Sequence, residues 1–307
     1  IAKLQAAANE MGVDVRPHSK TNKSPYWARK QIDAGAIGVC CAKVGEAEVM
    51  VEAGVTDVMI PNQVIGKRKV ARLVALAHSA NIVVAVESAG NVDDLSTASS
   101  AAGAELGVIV EINVGMDRCG VDGDGAVELA KQIDAAPGLR FDGLMGYEGH
   151  VVAERDYETR KIKAEQAMAI LTGAADQIRD AGIDVKLVSA AGTGTYNITG
   201  RVDGVTELQC GSYIFMDGDY LEVFNDFEPA LSVLATVISR QKKEVAIVDM
   251  GLKSISMDRG LAEVISPASA SIKSHSEEHT AVNLPDAASQ ALKVGDKVRS
   301  RPTHGDT

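Results

Sequence analysis

Short β-branched apolar runs alternate with longer helical patterns from about Val13 to Gly211. This alternation is typical of repeated βα units around a parallel sheet. The apolar runs number eight, at Val13–Arg16, Ala36–Cys41, Asp57–Ile60, Asn81–Glu87, Gly107–Asn113, Gly143–Tyr147, Val185–Ser189 and Glu207–Cys210. The helical patterns include Ile1–Met11, Gly45–Ala53, Arg68–Ser79, Gly125–Ala135 and Tyr157–Ala181. Eight such units predict an α/β fold of the (β/α)8 TIM-barrel type.

A doubly wound open sheet is the alternative architecture for the same pattern. No GxGxxG motif follows the first strand, however, and the units resemble one another, which favours the barrel. Gly35, Gly54 and Gly182 stand where a helix should pass into a strand, a place that often needs positive φ. These glycines support the element boundaries of either architecture.

After about Phe224 the pattern changes to β-rich runs separated by short polar turns. The runs are Leu231–Arg240, Glu244–Asp249 and Ala262–Ile265, and Lys293–Arg301 resembles a turn entering a strand. Ala268–Asp286 is polar and is expected to be a loop. We therefore predict a barrel over residues 1–225 and a C-terminal all-β domain over 226–307.

Both ends of the chain are expected to continue in the natural protein. The sequence begins inside a helical pattern at Ile1 and stops at Thr307, just beyond the pair His304 and Asp306 discussed below.

The composition favours a small molecule as the binding partner. The 307 residues are 46% hydrophobic and carry a net charge of −11, with no dense Lys/Arg run and 4% aromatic residues, so a nucleic-acid surface is not expected. No run of about 18 apolar residues and no signal peptide are visible, which predicts no membrane partner. The four cysteines, Cys40, Cys41, Cys119 and Cys210, show no paired spacing. We interpret this as a cytoplasmic protein.

The end of the first strand carries a candidate catalytic lysine. In a (β/α)8 barrel, reactive groups collect at the carboxyl ends of the strands. Lys20 lies there in the stretch Arg16–Lys23. Neighbouring strands can shield its amine from water, which lowers the pKa of the amine. A neutral amine is what Schiff-base formation needs. The simpler interpretation is that Lys20 and Lys23 are ordinary loop lysines.

Two clusters of small residues at the ends of the seventh and eighth strands predict a phosphate site. Loops at these positions often bind phosphate in barrels, and exposed amides and hydroxyls suit a dianion. Either cluster alone could be a tight turn. The predicted cofactor contacts are Thr193, Gly194, Thr195, Tyr196, Gly211, Ser212 and Tyr213.

The fifth and sixth strand ends add three further candidates. Arg118 could bind an oxyanion or a cofactor oxygen, and His150 could move a proton near neutral pH. Tyr147, in the same stretch as His150, is a further predicted cofactor contact. Taken singly, each of these residue types is more often structural.

Near the end of the chain, His304 and Asp306 form an HxD pair. On an extended segment the two side chains would point to the same side and could share a divalent cation, leaving an open site. HxD alone is a weak pattern for metal binding.

Together these stretches resemble the D-threonine aldolase group of fold-type III pyridoxal 5'-phosphate (PLP) enzymes, which includes 3-hydroxy-D-aspartate aldolases and D-serine dehydratases. The resemblance spans nearly the whole chain. It rests on RPHSKTNK (16–23), EINVGMDRCGV (111–121), GYEGH (146–150), AAGTGTY (190–196), QCGSYIFMDGDY (209–220), VDMGLKSISMD (248–258), SEEH (276–279) and RPTHGD (301–306).

The resemblance implies an alanine racemase-like barrel with a β-domain, PLP on Lys20, Arg118 as a cofactor contact and His150 as the base. It also implies a divalent metal on His304 and Asp306. Asp306 argues for a hard ion such as Mn²⁺ or Mg²⁺, and His304 leaves Zn²⁺ open. The expected reaction cleaves a D-β-hydroxy amino acid, D-threonine or 3-hydroxy-D-aspartate, to glycine and an aldehyde, in a homodimer.

Two other functions remain open at this point. A D-serine or D-3-hydroxyaspartate dehydratase would use the same cofactor but release ammonia and a keto acid. A PLP-carrying binding protein would have no turnover. Asn22 stands where relatives usually have histidine, which puts the activity of the first motif in question. Arg16 and Arg118 are both candidates to bind a distal substrate carboxylate.

Overall fold

Eight parallel strands form one sheet in the computed structural model, which describes residues 1–307. Each strand overlaps one of the eight apolar runs of the sequence. The strands are β1 (Asp14–Val15), β2 (Val39–Cys40), β3 (Asp57–Gln63), β4 (Asn81–Val86), β5 (Leu106–Glu111), β6 (Leu139–Met145), β7 (Leu187–Ala190) and β8 (Glu207–Leu208).

The first and last of these strands are neighbours, so the sheet curls round on itself. Its order is β1-β8-β7-β6-β5-β4-β3-β2, with Asp14 opposite Glu207. A parallel bridge between His18 and Cys40 links the chain after β1 to β2. The ring is thereby closed, and the predicted (β/α)8 barrel is confirmed.

Helices connect the strands of the barrel. They are α1 (Ala2–Met11), α2 (Pro25–Asp33), α3 (Val44–Glu52), α4 (Lys67–Leu76), α5 (Ala89–Ala102), α6 (Gly123–Ala135), α7 (Tyr157–Asp180) and the short α8 (Tyr196–Thr199). As predicted, Gly54 and Gly182 follow α3 and α7 with φ of 89° and 86°, which an L side chain rarely adopts. These glycines let the chain turn from a helix towards the next strand.

Side chains from the strands fill the interior of the barrel. One cluster of buried residues joins five strands, and Tyr147 and Leu187 pack against it. Its members are Cys40, Met59, Val83, Ala85, Ile109 and Met145. The barrel is therefore a packed core, and its chemistry must lie at the strand ends.

The chain forms two compact units, Ile1–Tyr213 and Ile214–Thr307, whereas the sequence placed its predicted boundary at residues 225 and 226. The elements of the second unit are α9 (Gly218–Leu221), β9 (Val233–Lys242), β10 (Val245–Val248), β11 (Glu263–Ser266), β12 (Ser271–His275), β13 (Thr280–Asn283), α10 (Ala287–Gln290) and β14 (Lys297–Arg301). Its six strands form one sheet in the order β11-β14-β9-β10-β13-β12.

The expectation of a loop over Ala268–Asp286 is wrong, because β12 and β13 form an antiparallel hairpin there. Ile272 and Val282 are buried in the core of this unit, while their neighbours along the strands are largely polar. A register shift between Ile272 and Ser274 interrupts the alternation of β12. The short, bulged pattern explains why the sequence resembled a loop.

None of the helices combines the length and the apolar character that a membrane crossing requires.

Candidate active site

Lys20 lies in a tight turn that follows β1 at the carboxyl end of the barrel. Its backbone N–H donates to Nδ1 of His18 at 3.3 Å. The preceding Ser19 donates both its N–H (2.7 Å) and its hydroxyl (2.8 Å) to the carbonyl oxygen of Cys40, at the end of β2. The turn is thus fixed to the neighbouring strand, and the half-buried Lys20 side chain starts from a defined position.

The loops after β7 and β8 contact each other and the turn of Lys20. The N–H of Tyr213 donates to Oγ1 of Thr193 at 3.0 Å, joining the two loops. A Cβ added to Gly211 would lie 3.0 Å from Oγ1 of Thr21, so the second loop lies against the residue after Lys20. The structure therefore brings both predicted phosphate loops and Lys20 to one place.

Two buried backbone N–H groups in the first of these loops have no acceptor in the protein. They belong to Thr193, which is 1% exposed, and to Gly194, which is buried. A Cβ on Gly194 would stand 1.9 Å from the carbonyl oxygen of Val152, so only glycine fits there. Because buried donors are nearly always paired, these groups fit an external acceptor such as a phosphate oxygen.

Tyr147 and Arg118 stack beside the same loop. The guanidinium carbon of Arg118 is 5.6 Å from the ring centroid of Tyr147, a cation–π arrangement. A Cβ on Gly192 would come within 3.3 Å of the Tyr147 hydroxyl. Arg118 itself is exposed, which leaves its charge accessible to a ligand.

His150 is exposed at the end of the loop that follows β6. Its Nε2 is 3.4 Å from the position that a Cβ on Gly115 would take, so the imidazole lies over the loop after β5. The structure thus places His150, Tyr147 and Arg118 on adjoining loops.

Tyr196, Ser212 and Tyr213 are buried and serve partly as structure. The hydroxyl of Tyr213 accepts a hydrogen bond from Nε2 of Gln31 on α2 at 2.8 Å. Burial raises the pKa of Tyr213, so its phenol stays neutral. The neutral hydroxyl accepts from Gln31 and keeps its own hydrogen as a donor.

Arg16 is committed to an ion pair inside the barrel. It is 5% exposed, its Nε donates to Oε2 of Glu207 at 2.8 Å, and its Nη1 pairs with Asp57. Two carboxylates compensate its charge. Of the two arginines that the sequence left as candidates for a distal carboxylate, Arg118 is the accessible one.

The predicted metal pair follows the last strand of the second unit. β14 ends at Arg301, so His304 and Asp306 lie beyond the last strand, in a segment that bends at Thr303 and Gly305. Nδ1 of His304 is 2.7 Å from Oδ2 of Asp258. The N–H of Gly305 donates to Oδ2 of the buried Asp217 at 2.8 Å, which holds this segment in place.

These contacts suit a histidine that binds metal. When a carboxylate accepts from Nδ1–H, the lone pair of Nε2 remains free to bind a metal. Metal-bound histidines usually donate their other ring N–H to a carboxylate in this way. With the Asp306 carboxylate, the donor set is one imidazole and one carboxylate, which fits a divalent cation with open positions. Asp258 was missed by sequence reasoning, although it lies in the stretch 248–258.

A second group of potential ligands lies in the barrel at the ends of β4 and β5. One ligand atom each of Glu87, Glu111 and Cys119 lies within 4.8 Å of the others. The carboxylates have protein partners: Glu87 accepts from the N–H of Gly120 and Glu111 from the amide of Gln63, each at 2.5 Å. This group anchors the loop after β5.

Two family models cover most of the chain. The model described as "Alanine racemase, N-terminal domain" matches residues 1–219, and that described as "Putative serine dehydratase domain" matches residues 230–307.

Two aldolases match nearly the whole of this chain. A D-threonine aldolase from Arthrobacter sp is 39% identical over 99% of this chain and 81% of that protein. A 3-hydroxy-D-aspartate aldolase from Paracoccus denitrificans (strain Pd 1222) is 38% identical over 100% of this chain and 81% of that protein. The crystal structure of D-threonine aldolase from Filomicrobium marinum superimposes with a TM-score of 0.96 at 39% identity, covering 99% of this chain and 84% of that one.

Proposed function

Because the chain belongs to the alanine racemase N-terminal domain family, we propose that it is a PLP-dependent aldolase that cleaves D-β-hydroxy amino acids to glycine and an aldehyde. The observation that carries the proposal is the meeting of the Lys20 turn with both glycine loops at one end of the barrel. The full-length similarity to a D-threonine aldolase and a 3-hydroxy-D-aspartate aldolase supports the same class of substrate.

The barrel unit would hold the cofactor. Lys20 would bind it covalently, the Thr193 and Gly194 amides and the loop at Gly211 would bind its phosphate, and Arg118 would contact a cofactor oxygen. PLP, when bound, supplies an electron sink that allows a bond to the substrate α-carbon to break. Tyr147, Thr195, Tyr196, Ser212 and Tyr213 complete the proposed cofactor contacts.

His150 would remove the proton of the substrate β-hydroxyl. In a retro-aldol cleavage this hydroxyl becomes the carbonyl of the aldehyde, so its proton must leave as the Cα–Cβ bond breaks. The exposed imidazole of His150 would accept this proton directly or through water. Proton removal by His150 would thus accompany the breaking of the carbon–carbon bond.

His304 and Asp306 would hold a divalent metal, with Mn²⁺ or Mg²⁺ favoured by the carboxylate and Zn²⁺ compatible with the imidazole. A bound divalent ion lowers the pKa of a coordinated hydroxyl. Asp258 would orient the His304 ring, and Asp217 would hold the backbone between the two ligands.

The side chain on Cβ determines which aldehyde forms, acetaldehyde from D-threonine or glyoxylate from 3-hydroxy-D-aspartate. Since Arg16 is paired inside the barrel, Arg118 is the arginine that could bind a distal carboxylate. We further propose a homodimer. The cytoplasm remains the proposed compartment, which the four unpaired cysteines support.

The test incubates the purified protein with PLP and Mn²⁺, and supplies D-threonine, 3-hydroxy-D-aspartate and D-serine separately. We expect glycine and an equimolar aldehyde, lost on adding a chelator and in Lys20→Ala. Lys23→Ala, an exposed lysine of the same turn, is the matched control and should retain activity. Ammonia and keto acid without glycine would identify a dehydratase and contradict the aldolase.

A further inference from the structure

Glu148 is a buried carboxylate with no assigned part in the proposed chemistry. It is 0% exposed. Its Oε1 accepts from the hydroxyls of Thr195 at 2.7 Å and Thr199 at 2.6 Å, and its Oε2 accepts from the N–H of Ala191 at 3.3 Å. All three donors are uncharged groups of the phosphate loop or of α8. Burying a carboxylate costs free energy unless the group is hydrogen-bonded. The folded conformation of this loop therefore depends on these three hydrogen bonds.

The loop that Glu148 contacts is strained at the point of contact. Ala191 has φ of 73°, a left-handed conformation that a residue with a Cβ adopts at a cost of about 1 kcal/mol or more. Its N–H is the donor to Oε2 of Glu148. Such conformations persist where surrounding contacts determine them, and Glu148 supplies one of these contacts directly.

The same carboxylate orients the hydroxyl of Thr195. Thr195 Oγ1 donates to Glu148 and accepts from the N–H of Gly192 at 3.2 Å, so its hydrogen is already used within the protein. Thr193 differs, because its Oγ1 accepts from Tyr213 and its own hydroxyl hydrogen has no protein acceptor. Thr193 is therefore the threonine whose hydroxyl hydrogen is left to donate to a phosphate, whereas the hydroxyl hydrogen of Thr195 is used to hold the loop.

Glu148 also connects this loop to the predicted base. His150 follows it by two residues, and the carbonyl oxygen of Val152 abuts Gly194 so closely that only glycine fits. The loop after β6 thus carries His150 and is bonded through Glu148 to the loop after β7.

We propose that Glu148 is a positioning residue that holds Ala191–Thr195 in the conformation that binds the cofactor phosphate. The inference rests on the proposed function, since it requires that PLP is the ligand. In this proposal Glu148 itself contacts neither substrate nor cofactor. Substitutions that disturb Glu148 should therefore weaken the binding of a ligand that carries the phosphate and leave the binding of a ligand without it unchanged.

The test compares PLP with pyridoxal, which lacks the phosphate, in titrations of the cofactor-depleted full chain. Thr199→Val removes one donor to Glu148 at nearly constant volume, and Thr199→Ser keeps the hydroxyl. We expect Thr199→Val to weaken PLP binding by about 10-fold, as for loss of one hydrogen bond to a charged group. Thr199→Ser should remain within about 2-fold of the parent, and pyridoxal should bind all three proteins alike.

Glu148→Gln provides a second variant, because an amide has one acceptor oxygen and cannot accept both from the N–H of Ala191 and from the two threonine hydroxyls. It should weaken PLP binding at least as much as Thr199→Val, with an unchanged far-UV circular dichroism spectrum. Equal weakening of PLP and pyridoxal, or no weakening of either, would overturn the inference while the parent still binds PLP through Lys20. A parent chain that binds no PLP would instead overturn the proposed function, and this inference with it.

Discussion

At the scale of single residues, the nitrogen that His304 leaves free is set by its neighbour. Asp258 accepts at Nδ1, and the hydroxyl of Ser256, together with His304, holds the pKa of Asp258 below its ordinary range. A carboxylate that remains ionised keeps the ring in the Nδ1–H form. Nε2 is then the nitrogen that a metal would take.

Asp258→Asn should weaken Mn²⁺ binding by about 10- to 100-fold, as loss of a carboxylate behind a metal-bound histidine generally does. Isothermal titration of the metal into the full chain measures the change. Glu244→Gln, an exposed acid of the same unit, should bind Mn²⁺ like the parent. Unchanged affinity in Asp258→Asn would mean that His304 does not depend on this carboxylate.

At the scale of elements, the longest helix begins at a well-formed cap. The side chain of Asp156 accepts from the N–H and the hydroxyl of Thr159, at 2.9 and 2.6 Å, at the start of α7. These hydrogen bonds lower the pKa of Asp156 below its ordinary value of 3.8. The charged cap therefore contributes stability above pH 3.8, and the contribution disappears as the pH falls through the lowered pKa.

Asp156→Ala should lower the urea midpoint of the barrel at pH 7, because it removes the acceptor at the helix start. The difference in urea midpoint between Asp156→Ala and the parent should decrease as the pH falls below 3.8. Asp156→Asn is the control, since it keeps an acceptor and cannot titrate. A difference that stays constant down to pH 2 would show that the charge of Asp156 contributes nothing.

The elements also show where the sequence is a sufficient guide. The eight barrel strands were predicted because parallel strands buried on both faces are continuous apolar runs, as in β4, whose last five residues are all buried. The β12–β13 hairpin was not predicted, because only alternate residues are buried and a bulge breaks the alternation. Short strands with one buried face carry too few apolar residues to stand out from a loop.

At the scale of the whole molecule, each of the two units brings together candidate residues that are distant in the sequence. The strand-end positions followed from the barrel, so Lys20, the glycine loops and His150 could be proposed from sequence. Partners such as Asp258 for His304, or Thr199 for Glu148, could not, because only the folded chain shows which side chains come within hydrogen-bond distance. Sequence thus predicted the reactive groups better than the residues that hold them.

Ligand binding should stabilise the barrel unit by mass action. PLP at 100 times its Kd is expected to add about 2.7 kcal/mol to the free energy of unfolding. Trp27, the single tryptophan, lies on α2 of this unit and reports its unfolding in urea by fluorescence. Lys20→Ala should show a much smaller increase at the same PLP concentration. An equal increase in Lys20→Ala would place the bound cofactor elsewhere.

Closure of the barrel also has a consequence for folding during translation. Arg16 and its partner Glu207 are separated by 191 positions. At about 5–20 residues per second, translation takes roughly 10–40 s to pass from one to the other. Throughout that interval the first strand has no permanent neighbour on one side and Arg16 lacks its Glu207 counter-charge. The unpaired edge of the first strand is therefore prone to aggregation during synthesis until the eighth strand emerges.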